Sequence, residues 1–61
     1  MTRKDYKLIA EILNGAITYE KEKNEEKSFA LMAVAHTFSN VLAKENPRFD
    51  RTKFLTACGV K

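Results

Sequence analysis

The sequence predicts an all-α fold: an antiparallel helical hairpin, about residues 3–22 and 25–45, closed by a short C-terminal helix at about 51–58. Three observations predict it. Apolar residues recur at helical spacing on both sides of a polar interruption, EKEKNEEK at 20–27. Pro47 then disfavours helical geometry at Asn46, which stops the second stretch. Beyond it, start and stop signals bracket RTKFLTAC at 51–58. The stretch Ser28–Ala43, SFALMAVAHTFSNVLA, is apolar on nearly every side, so the rest of the chain must pack around it.

The first helix opens on Thr2, whose hydroxyl can accept a bond from a backbone amide one turn on. Asp5 stands three residues later, a shorter relative of the capping-box glutamate, and suits the positive helix end. Tyr6, Ile9, Ala10, Leu13, Ala16 and Ile17 make one broad apolar stripe. Leu8, Ile12, Gly15 and Tyr19 make a second, narrower one, well around the helix from the first. Gly15 costs about 1 kcal/mol against alanine inside a helix. It either ends the helix early at Asn14–Gly15 or lets another backbone come close; a helix to about Glu22 is preferred.

A single helix from 3 to 44 would place Glu20, Lys23, Asn24 and Lys27 on the seam, where apolar residues are needed. A turn at Lys23–Asn24 fits better. Asn24 then caps the second helix, with Glu25 and Glu26 in its first turn. Leu31, Val34, Ala35, Phe38, Val41 and Leu42 form the expected main face of that helix, turned to helix one. Phe29, Met32, His36, Ser39 and Ala43 lie on the other side, which needs a third element or another chain.

The chain end carries the most specific local signals. Asp50 caps the third helix, and Phe49 with Phe54 has the spacing of a hydrophobic staple. Gly59 can adopt the left-handed conformation that ends a helix, with Val60 folding back on Leu55 as in a Schellman ending. Phe54, Leu55 and Cys58 form the apolar side that covers part of the hairpin.

Sixty-one residues suffice for one small domain with a thin core. One cysteine excludes an internal disulfide, and one histidine excludes a histidine/cysteine metal cage within the chain. Self-association or an unusually good helix core is therefore the expected staple. No stretch reaches the roughly 18 apolar residues of a membrane span, and Glu11 and Asn14 interrupt any signal-peptide core, so a cytosolic protein is expected. The net charge is +3, and the segment 48–61 accounts for the excess, with Arg48, Arg51, Lys53 and Lys61 against Asp50 alone.

Catalytic chemistry is not expected. Cys58 falls at a helix C-terminus, where the dipole opposes a thiolate, and reads as a small buried residue. His36 has no acidic residue one turn away to orient it, and reads as structural or interfacial. HExxH, CxxC, EF-hand and phosphate-loop patterns are absent, and no metal or cofactor is expected.

Two segments carry a resemblance. TRKDYKLIAEIL at the start and NPRFDRTKFLTACGV at the end resemble a family of very small proteins encoded by phages and prophages. Its pattern opens on TRKDY and closes on NPRFDxxxFLxACG, matched here by Thr2–Tyr6, Asn46–Asp50, Phe54, Leu55, Ala57, Cys58 and Gly59. The resemblance implies a phage or mobile-element origin, hence a bacterial host cell, and no mechanism.

The leading functional expectation is a helical interaction module, homodimeric through Leu8, Ile12, Gly15, Tyr19, Phe29, Met32 and His36. Its task would be to bind a host or phage protein, for instance as an inhibitor of a host defence or regulatory factor. The alternative is a nucleic-acid-binding accessory protein, with Arg48, Arg51 and Lys53 on phosphates, joined by Arg3, Lys4 and Lys7. A third reading is a dimer that sequesters a small molecule or nucleotide near His36 and Tyr19.

Overall fold

The computed structural model describes residues 2–60, and Lys61 of the basic C-terminal segment lies outside them. Three helices follow in order: α1, Arg3–Lys23; α2, Glu25–Glu45; and α3, Arg51–Cys58. A 21-residue helix is about 32 Å long. The whole molecule measures 35 × 18 × 15 Å, so α2 folds back along α1. The expected hairpin with a short third helix is the observed fold.

Each boundary has a local cause. Thr2 and Asp5 form a full capping box: the Asp5 amide donates to the Thr2 hydroxyl at 3.3 Å, and the Thr2 amide donates to the Asp5 carboxylate at 3.0 Å. That second bond holds the Asp5 carboxyl below its ordinary pKa. Asn24 alone links the long helices. Its backbone amide closes α1 on the Glu20 carbonyl, and its side chain accepts from the amides of Glu26 and Lys27 to open α2. α1 runs unbroken through Asn14–Gly15. Gly15 is exposed, and an added Cβ would meet nothing within 4 Å, so among the described residues no other backbone approaches it.

The third helix is held as expected. Asp50 accepts from the Lys53 amide at 3.0 Å. Phe49 and Phe54 pack with ring centres 5.3 Å apart. Gly59 sits at φ +87°, and the Val60 amide donates to the Leu55 carbonyl at 2.9 Å, which completes the Schellman ending. Asn14 meets Gly59, while Arg3, Tyr6 and Ala10 share a groove with Asp50, Lys53 and Ala57. Accordingly α3 runs in the direction of α1 and opposite to α2.

The core consists of Ala10, Ile17, Ala35, Leu42, Phe54, Cys58 and Val60. One expectation needs correction here. Leu31, Val34, Ala35, Phe38, Val41 and Leu42 do not all face inward: Val34, Phe38 and Val41 are exposed. The buried line of α2 is instead Ser28, Ala35, Ser39 and Leu42, which lies between the two sides assigned from hydrophobicity. Small side chains thus occupy the buried line of α2, and Phe54 of α3 supplies the bulk of the same core. Both serines are fully buried, and their hydroxyls cost little there. Ser28 donates to the Glu25 carbonyl at 2.7 Å and Ser39 to the His36 carbonyl at 3.0 Å.

Candidate functional site

Two surfaces stand out, on opposite sides of the hairpin. The first is apolar and formed by the long helices alone. Glu20 of α1 and Lys27, Ala30 and Leu31 of α2 line a shallow depression between the helices. Stepping about 100° per residue, Ile9 and Ala16 fall within about 40° of Glu20, with Ile12 and Tyr19 beyond them. On α2, Val34, Phe38 and Val41 fall within about 40° of Lys27. α3 lies behind the opposite side, against Asn14 and Ala10. The exposed Ile12, Tyr19, Val34, Phe38 and Val41 therefore share one face of the hairpin, with Leu8 and Gly15 at its margin.

This face has charged ends. Asp5 and Lys23 lie five full turns apart, hence on one line of α1, and Lys27 and Glu45 do the same on α2. The end near the turn carries Lys23 and Lys27 with Glu20 beside them, a net positive charge, and the far end carries Asp5 and Glu45. The Lys23 ammonium sits 5.0 Å from the Tyr19 ring centre, at the edge of the apolar area.

The expected interface residues divide. Leu8, Ile12, Gly15 and Tyr19 are all exposed on or beside this face. Phe29, Met32 and His36 are not on it. Phe29, 59% exposed, and His36 lie on the other flank of α2, and Met32 is half-buried against the core. α3 ends opposite Asn14, too short to reach Phe29. Val34, Phe38 and Val41 were missing from the expected interface because hydrophobicity assigned them to the core. The signal that could have found them is Ser28, Ala35 and Ser39: small residues on one line mark a tight contact and send bulky neighbours outward.

The second surface is a groove of about 680 Å³ between the start of α1 and α3. Tyr6, Ala10, Phe49, Phe54 and Ala57 provide its apolar lining. Tyr6 and Phe49 meet edge to face at 4.9 Å, and Phe49 continues to Phe54, so three aromatics form one chain. The Asn46 amide group donates to the Tyr6 hydroxyl at 3.4 Å and accepts from the Arg48 amide at 3.0 Å, which ties the 46–50 segment to α1. Arg3, Lys7, Arg48 and Lys53 also line the groove, and among the described residues Asp50 is its one carboxylate. Of the expected phosphate contacts, Arg48 and Lys53 meet here with Arg3 and Lys7, whereas Arg51 and Lys4 do not line it.

Neither Cys58 nor His36 belongs to either surface. Cys58 is fully buried, and burial pushes its thiol pKa up, away from a reactive thiolate. His36 and Tyr19, the residues expected near a sequestered small molecule, are both exposed. Among the described residues no group of three histidine, cysteine or acidic side chains could hold a metal ion. Nor is any described helix long and apolar enough to cross a membrane.

No family model matches the chain, and neither a curated protein nor a solved structure shows significant similarity to it.

Proposed function

We propose that the protein is a helical interaction module that works as a homodimer, two hairpins joined face to face into an antiparallel four-helix bundle. The observation that carries this is the apolar face opposite α3, with Ile12 64% exposed and Tyr19, Val34, Phe38 and Val41 beside it. The surface of the whole chain is also large for its mass. A monomer of 7.0 kDa ordinarily exposes about 4,000 Å². This chain exposes 4777 Å², roughly 700 Å² more than that scaling gives.

Charge selects the orientation. A two-fold axis across the helices lays Lys23 and Lys27 of one protomer on Asp5 and Glu45 of the other, at both ends. An axis along the helices would bring like charges together, which is unfavourable. The resemblance of the two chain ends to small phage-encoded proteins supports a phage or prophage setting, where the dimer would engage a host or phage protein.

A paired substitution tests the reading. Phe38→Asp is expected to abolish self-association while the helical circular dichroism persists, and Phe29→Asp is expected to leave association unchanged. Equal effects of the two, or none from either, would remove the face from the account.

A further inference from the structure

We propose that the groove between α1 and α3 is a nucleotide-binding site, taking phosphates on Arg3, Lys7, Arg48 and Lys53 and a base over the partly exposed rings of Tyr6 and Phe49. It does not rest on the dimer, whose face lies on the other side of the hairpin.

The charge is concentrated where the apolar lining is. Four cations line the groove against one carboxylate, and Asp50 already accepts the Lys53 amide as the cap of α3. Arg3, Lys7, Arg48 and Lys53 are all exposed, around the aromatic chain of Tyr6, Phe49 and Phe54. Holding them around one groove costs repulsion, which a bound anion would relieve.

The apolar part narrows the ligand. Tyr6 and Phe49 are half-buried, so their rings are partly open to the groove, whereas Phe54 is buried beneath. The volume of about 680 Å³ lies within the usual range of ligand sites. An acidic peptide would meet the cations but would bring no planar group to lay over the partly open Tyr6 and Phe49 rings. A planar base beside phosphates needs only an aromatic surface and cations, the combination that binds single strands without reading sequence. The free nucleotide and the unpaired strand share this chemistry. A duplex keeps its bases stacked away from such a recess.

The test is fluorescence anisotropy of labelled oligothymidylate of ten nucleotides with the full chain. Four phosphate contacts predict that affinity falls about 50-fold between 50 and 200 mM salt. An Arg48→Ala/Lys53→Ala variant is expected to bind about tenfold more weakly, with the helical spectrum intact, while Lys21→Ala/Lys44→Ala, an equal loss of charge away from the groove and from the proposed dimer contacts, changes binding less than twofold. An abasic strand of the same length is expected to bind at least fivefold more weakly, the low end of the loss of one stacked base. Competition by thymidine diphosphate identifies the free nucleotide as a ligand; binding of the strand without it identifies the polymer. Equal weakening by the two charge pairs, undiminished binding of the abasic strand, equal competition by polyglutamate, or no binding at 50 mM salt would each overturn the proposal.

Discussion

Single residues set the ends of the helices, and two of them make firm predictions. Gly59 adopts φ +87°, and a Cβ there would stand 2.8 Å from the Asn14 side-chain amide. Gly59→Ala therefore combines left-handed strain with a clash, and is expected to destabilise by about 1–2 kcal/mol, read as a lower urea midpoint. Asp5 predicts an acid dependence. Its carboxyl is held below its ordinary pKa, chiefly by the Thr2 backbone bond, so the folded state favours the charged form. The stability it adds is fully present above the unfolded-state pKa, near 3.8, and is lost as pH falls through the lower folded value. Thermal midpoints between pH 2 and 6 should fall more gently below about pH 4 for Asp5→Asn than for the native chain. These residues were legible in the sequence because caps act over three or four positions, within reach of a local pattern.

At the scale of elements, legibility ended at orientation. All three helices lie within a residue of their expected bounds, since Asn24, Pro47, Asp50 and Gly59 act locally. The inward face of α2 did not follow from hydrophobicity. Phe38 and Val34 are larger and more apolar than Ser28 and Ser39, yet the serines are inside. What decides is the separation of the helices and the volume delivered by α3, both tertiary quantities. The same cause hid the Tyr6–Phe49 contact, which joins residues far apart in sequence, whereas the Phe49–Phe54 staple was legible locally. α3 acts as the plug of the hairpin. Phe54 is 4% exposed, and Phe54→Ala is expected to cost about 3–5 kcal/mol, a large share of what so small a domain has. Its signature would be early loss of protection of amides 51–58 in hydrogen exchange.

At the scale of the molecule, the two sides of the hairpin differ in kind. One side is closed by α3 and bears the basic groove; the other is left apolar and charged only at its ends. The second stripe of α1 was legible as a period in the sequence, because Leu8, Ile12, Gly15 and Tyr19 could not share a face with Ile17. Its partner stripe on α2 became visible only when the buried line of that helix was known. The central claim is that this face joins two copies, and sedimentation equilibrium of the native chain at micromolar concentrations tests it most directly. A dimer predicts a mass near 14.0 kDa, twice the 7.0 kDa of the chain, and dissociation on dilution. A constant 7.0 kDa up to several hundred micromolar would contradict it.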